Sequence, residues 1–126
     1  MYKILTHDRL KMLRTTIEGF LTLEELGIFA REAQQAVAAM GCSSGDWVHC
    51  CDITKLTLQS RDVAEAVGQF INHPERRSRR LAIVVGSSPA RMQARRLLTR
   101  CDAAIFENMR EAEAWLIGSF DHRMSA

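Results

Sequence analysis

The residues of this chain with types suited to chemistry are four cysteines, four histidines, an aspartate ending an apolar run, and a Gly-Ser-Ser turn. Cys42, Cys50, Cys51 and Cys101 form no C-x-x-C pair, and the histidines form no H-x-x-x-H pair. Zinc centres draw their ligands from such spacings, so no metal is expected. Cys50 and Cys51 are adjacent and would face opposite sides of a strand, which keeps them from chelating together. Buried, reduced thiols are the expected state, and they place the chain in a reducing cytoplasm. His49 beside Cys50 suggests a base next to a nucleophile, but strand neighbours point apart and cannot pair. Asp52 closes the run WVHCCDI, at the strand end where α/β proteins put ligands and catalytic groups. It also suits an acceptor for the turn that follows, and this reading is preferred. No G-x-S-x-G elbow, G-x-x-x-x-G-K-[ST] loop or G-x-G-x-x-G occurs, so neither an enzyme nor a cofactor is expected. Gly86, Ser87 and Ser88 open a helix with Arg91 one turn in, where free N–H groups and the helix dipole favour an anion. An ordinary capped helix start reads the same way. Trp47 and Trp115 are read as core or interface residues.

Charge narrows the partner. The 17 basic and 15 acidic residues leave a net charge of +2, which is no nucleic-acid signature. The distribution is uneven: residues 76–100 hold eight arginines and no acid, and the balance turns acidic after Cys101. Such a run reads first as a solvated basic surface answered by acidic neighbours. A hydrophobic share of 47% excludes disorder, while only 6% aromatic residues means a core of Leu, Ile, Val, Ala and Met. At 126 residues there is room for one core. No window approaches the ~20 apolar residues of a membrane span, and MYKILTHDRLKMLR lacks the apolar run of a secretory signal.

The elements that must position these residues can be read in turn. Residues 2–6 and 10–18 read as strands joined by His7-Asp8-Arg9, an antiparallel hairpin. After Gly19, Thr22 and Glu25 form a T-x-x-E capping box, with Leu21 and Leu26 at the positions of a hydrophobic staple. Apolar residues at 23, 26, 30, 33, 37 and 40 give the helix one buried face, and Gly41 ends it. Residues 47–53 form a strand, 54–59 a loop, and 60–72 a second helix with Val63, Val67, Phe70 and Ile71 inward, stopped before Pro74. The continuous apolar run 81–85 is a central parallel strand. Ser88 as N-cap and Pro89 at the first helical position start a third helix that runs to about Arg100. Ala90, Ala94, Leu97, Leu98 and Cys101 share the arc that faces the sheet; Met92 is exposed, with Arg91 and Arg95 along one side and Arg96 and Arg100 along the other. Residues 103–106 are a last strand. Asn108 and Glu111 cap a final helix with Ala112, Trp115 and Leu116 inward. The order β-β-α-β-α-β-α-β-α implies right-handed crossovers and a mostly parallel mixed sheet. One α/β domain spans residues 1–120, with 121–126 as a polar tail.

In this order the chain resembles the SpoIIAA-like branch of the STAS superfamily, the STAS/SEC14-like bacterial proteins. The stretch Gly19-Phe20-Leu21-Thr22 with Glu24-Glu25-Leu26 is similar to that family's start of the first helix. Cys51-Asp52-Ile53-Thr54-Lys55-Leu56 is similar to its strand-ending D-(hydrophobic)-[ST] motif, and residues 81–85 followed by Arg91-Met92 to its apolar strand and basic helix. Phe106-Glu107-Asn108, Glu111-Ala112 and Trp115-Leu116 are similar to its closing F-x-[DN]-x-x-E-A-x-x-W-L. The resemblance covers nearly the whole chain. It implies an α/β sheet flanked by helices and no established enzymatic activity. Anti-sigma-factor antagonists of the superfamily act through a phosphorylatable serine in D-S-S-G at the start of the second helix. Here that stretch reads Ser60-Arg61-Asp62-Val63, with Arg61 on the acceptor position and Ser60 suited to capping.

Together these readings predict a non-enzymatic cytoplasmic interaction or regulatory module without the phospho-acceptor. The runner-up is a SEC14-like carrier of a lipid or small apolar ligand; an enzyme built on Asp52 and His49 ranks last. The expected contact surface is Gly86, Ser87, Ser88, Arg91, Met92 and Arg95, facing an acidic protein partner or an anionic ligand. Asp52, Thr54, Ser60 and Arg61 form a loop or switch region. A homodimer is expected from the general habit of small α/β domains.

Overall fold

The hairpin at the start of the chain sets one margin of the sheet. In the computed structural model, which describes residues 1–57, 59–73, 78–100 and 102–124 (the backbone alone from 119 on), β1 (Tyr2–His7) pairs antiparallel with β2 (Met12–Ile17). Lys11 takes a left-handed φ of 51° in the turn, and its backbone N–H returns to the Asp8 carbonyl. The expectations that rest on Pro74, Arg76, Arg77 and Cys101 lie outside the described residues.

The helix α1 (Leu23–Ala39) starts at the expected capping box. The Glu25 N–H donates to Thr22 Oγ1 at 3.0 Å, and the Thr22 N–H to Glu25 Oε1 at 3.3 Å. Its buried face is Leu26, Phe29, Ala33 and Val37, continued by Met40. Leu23 was expected on that face and is 54% exposed. At about 100° per residue Leu23 lies roughly 120° around the helix from Phe29, which displaces it from the sheet.

Parallel strands follow: β3 (Val48–Asp52), β4 (Arg80–Val84) and β5 (Ala103–Phe106), separated by α2 (Arg61–Ile71) and α3 (Ser88–Leu97). The sheet order is β1-β2-β3-β4-β5, with every pair after the first parallel. Crossovers of one hand carry α1, α2 and α3 over the same face, while α4 (Met109–Met124) covers the other. Alternation along β4 shows both coverings: Leu81 and Ile83 pack with Ala90 and Ala94 of α3, and Ala82 and Val84 pack with Ala112 and Leu116 of α4. This is the expected α/β domain with 81–85 as an interior parallel strand. The Asn108 side chain accepts from the Glu111 N–H at 2.8 Å to start α4, which runs on to Met124 through residues assigned above to a polar tail.

Two details of α3 differ from expectation. Its N-cap is Ser87, in extended backbone and accepting from the Ala90 N–H at 3.2 Å, so Ser88 is already helical. Both adjacent serines can cap, and proline is tolerated on either side of the first helical position because early N–H groups have no intrahelical partner. The helix also ends at Leu97, with Leu98 extended. Arg100 is drawn inward, away from the surface position expected of it.

Gly86 links β4 to α3 where no side chain fits. A Cβ built there would lie 2.6 Å from the Thr54 carbonyl oxygen, a backbone atom that cannot swing aside. Gly86→Ala is therefore expected to cost about 1–3 kcal/mol through overpacking. Gly118→Ala, on an exposed helical position where a Cβ meets nothing, is expected to add about 0.5–1 kcal/mol. Urea unfolding of the two variants checks the contrast, and equal stabilities would show that the β3–α2 loop yields.

Candidate interaction surface

His49, Cys50 and Cys51 lie on β3 between the helical layers. His49, in mid-β3, is 5% exposed and shares a 2.8 Å hydrogen bond with Thr15 Oγ1 of β2. Burial, assisted by the positive charge of Arg100, lowers its pKa to about 3, so the ring stays neutral. Cys50 points to the opposite face, near Met109 of α4. The expected separation of His49 and Cys50 is thus realised by strand alternation. Burial raises the Cys50 thiol to about 12 and the Cys51 thiol to about 11, the neighbouring thiol and carboxylates adding to the first. A thiol protonated at neutral pH is a poor nucleophile. Cys42, Cys50 and Cys51 are free thiols. Sequence reasoning missed Thr15 as the partner of His49, because a parallel register between strands 34 residues apart leaves no local signal.

The loop region is occupied by structural bonds. Asp52 Oδ1 accepts from the Thr54 N–H at 3.0 Å and from Thr54 Oγ1 at 2.8 Å, the turn expected of it. Ser60 is the N-cap of α2, accepting from the Val63 N–H. Arg61 has a side chain 90% exposed and bridges to Glu65, one turn on, at 3.2 Å. These four residues stay near the C-terminal ends of the strands but form no single cluster with α3.

The face of α3 is built differently. Ala90 and Ala94 are buried against the sheet, which turns Met92 outward at 56% exposure. Arg95 is exposed, and Arg91 bridges to Glu107 at 3.2 Å, its own side chain 30% and the carboxylate 78% exposed. Gly86, Ser87 and Ser88 are exposed at the same end. Arg91 and Arg95 also border an open trough of about 300 Å³, continued by Leu98 and by Ala103, Ala104 and Ile105 of β5. The pairing of Glu107 with Arg91 and the trough escaped the sequence reading, which placed Glu107 only in the closing motif and the acidic stretch after Cys101.

Two other spaces are less suited to a charged ligand. A groove of about 290 Å³ beside α1, lined by Ala33, Val37, Trp47 and Phe70, has the Cys42 thiol as its only ionisable group. The space between the sheet and α2 and α3 amounts to about 80 Å³, among Ile17, Val67, Ile83, Ala94 and Leu97. Among the described residues no three His, Cys, Asp or Glu side chains group to hold a metal, and no helix is long and apolar enough to cross a membrane.

A five-stranded mixed sheet with three helices on one face and one on the other is the SpoIIAA-like α/β fold. The solved structure of an uncharacterised DUF3478-family protein from Shewanella loihica PV-4, described as having that fold, superposes with a TM-score of 0.67 at 23% identity, covering 92% of each chain. No protein-family model and no curated protein matches this chain.

The buried histidine makes stability depend on pH. His49 titrates near 6.5 when unfolded and at about 3 when folded, so the folded state binds fewer protons between these values. Its contribution is fully present above pH 6.5 and is lost as pH falls towards 3, at up to about 1.4 kcal/mol per pH unit. The difference in unfolding free energy between wild type and His49→Gln should shrink steadily from pH 7 to pH 4; a constant difference would place the ring in water. In a Cys101→Ser background at pH 8, only Cys42 of the remaining thiols is expected to react promptly with a disulfide reagent. Fast modification of two or three thiols would contradict the burial of Cys50 and the raised thiol of half-buried Cys51.

Proposed function

We propose that this chain is a non-enzymatic cytoplasmic interaction module of STAS type, and that its contact surface is the exposed face of α3, which receives an acidic protein partner. The observation that carries this reading is Met92, 56% exposed on the same face as arginines. Methionine and arginine are both enriched where proteins meet, and nothing in packing requires Met92 to stand in water. The interior supports the non-enzymatic part, since His49 is held neutral and Cys50 and Cys51 are held protonated.

The module works without the serine switch of its relatives by fold. Arg61 stands where the resemblance puts the phospho-acceptor, and the Ser60 side chain is engaged as a cap. Carriage of a lipid or small apolar ligand ranks second. Ligand sites enclose ~300–1,000 Å³; the enclosed apolar space beneath α2 and α3 is about 80 Å³, and the groove of about 290 Å³ beside α1 is open to solvent.

Quantitative affinity capture tests the surface. Arg91→Glu/Arg95→Glu should reduce capture of a specific partner tenfold or more, while Arg61→Glu, which changes charge at the start of α2, should leave it intact. Arg95 is exposed and Arg91 pairs with a carboxylate 78% in water, so both contribute little to folding and the double variant remains a fair comparison. Equal capture by wild type and double variant would remove α3 from the interface.

A further inference from the structure

β5 is an edge of the sheet, and among the described residues no strand pairs with its outer side. The Leu81 N–H donates to the Asp102 carbonyl at 3.1 Å, and the Val85 N–H to the Phe106 carbonyl at 2.9 Å. Backbone groups alternate sides along a strand, so residues 102, 104 and 106 turn towards β4. Ala103 and Ile105 turn their N–H and C=O groups outward, into the trough bordered by Arg91, Arg95 and Leu98. Unpaired strand edges are templates for another chain. Here the edge is flanked by α3 on one side, where Ala103 and Ile105 pack with Ala90 and Ala94, and by α4 on the other, where Phe106 meets Trp115 at 5.6 Å between ring centroids.

We propose that β5 accepts an extended acidic segment of a partner protein as a sixth strand, its carboxylates held by Arg91 and Arg95. This rests on α3 being the contact surface and adds the mode of binding and the motif recognised. One helical turn separates the two arginines, about 6 Å along the axis at ~1.5 Å per residue. Alternate residues of a strand, whose side chains share a face, are about 6.7 Å apart. Two carboxylates spaced as [DE]-x-[DE] therefore match the two guanidinium groups, and the intervening side chain faces away from α3. The Arg91–Glu107 bridge, with its carboxylate 78% exposed, shows that Arg91 already meets a carboxylate at this edge and can exchange it at little cost. A second copy fits poorly. Self-pairing through β5 sets the same arginines against each other, and the far edge, β1, carries Lys3 and His7 and no acid. The guard that repels like chains selects an acidic one.

Fluorescence anisotropy with a labelled Gly-Val-Glu-Val-Glu-Val-Gly peptide in low salt tests the proposal. It should bind, and an isomer with the two glutamates adjacent should bind at least fivefold more weakly. Two further peptides carry backbone N-methyl groups on the glutamates or on the valines. One of them, the one whose N–H groups would face β5, should lose tenfold or more. Ala103→Pro, which removes an outward N–H and leaves the β4 ladder whole, should weaken binding as much in protein whose circular dichroism is unchanged. Strand addition is overturned by no binding of the parent peptide at 1 mM, or by undiminished binding of both methylated peptides. If the methylated peptides bind but Arg91→Glu/Arg95→Glu abolishes binding, strand addition falls and α3 stays the contact surface. Undiminished peptide binding by the double variant overturns the carboxylate recognition argued here, and partner capture by that variant then decides separately whether α3 is an interface.

Discussion

A buried guanidinium holds together the end of the sheet opposite the Gly86 turn. The side chain of Arg100 is 2% exposed. It donates to the Ile71 carbonyl at the end of α2, to the hydroxyl and carbonyl of Ser78 ahead of β4, and to Asp102 Oδ1 ahead of β5. The end of α2, the approach to β4 and the approach to β5 are thereby fixed by one planar fork, the geometry for which arginine is suited and lysine is not. Removing one partner of a buried pair costs about 3–5 kcal/mol, because the charge that remains has lost its compensation. The consequences spread outward. The chain leaves helical geometry at Leu98, which is extended, and Arg100 reaches these acceptors from just beyond it. The same positive charge helps keep His49 neutral.

The sheet between its two helical layers explains why the chemistry-bearing residues are inert. β3 and β4 have neighbours on both sides and helices on both faces, so Trp47, Val48, His49 and Cys50 are buried whichever way they point. Val48 and Cys50 are wholly buried under α4, and His49 is buried on the side of α1, α2 and α3. Desolvation penalises the charged forms of His49, Cys50 and Cys51, lowering the imidazole and raising the thiols. A histidine beside a cysteine in the one-dimensional chain is consequently two unrelated residues in space.

What the sequence disclosed was what local physics decides. The capping box of Thr22 and Glu25, the cap at Ser60 and the start at Asn108 each need only a few neighbouring residues, and each is present. The alternation of strands and helices followed from such punctuation, and with it the fold. The errors lie where distant residues intervene. Arg100 reads as one more surface arginine in a basic run until Ile71, Ser78 and Asp102 are brought to it. Leu23 reads as core until the angle between α1 and the sheet places Phe29 there instead. For the candidate surface, Met92 was legible from the helical angle between it and Ala90, since one helix decides both. The trough was not, because it joins α3 to the outer side of β5, and only the strand order shows which strand has an outer side.

Strand order also explains where an α/β domain of this kind has room to act. Right-handed crossovers from β2 onward stack each new strand beside the last, so β5 arrives at the margin. The chain then turns across the back of the sheet as α4, and among the described residues no strand covers that margin. The opposite margin is closed by no helix either, but β1 is largely exposed, with Leu5 in water. β5 is half-buried along its whole length, held from both sides by α3 and α4. An edge held rigidly between two helices loses little conformational freedom when another strand pairs with it, whereas a loosely covered edge must first be ordered. Packing by two helices, an outward row of backbone groups and two arginines at strand-matched spacing therefore coincide on one margin of the sheet.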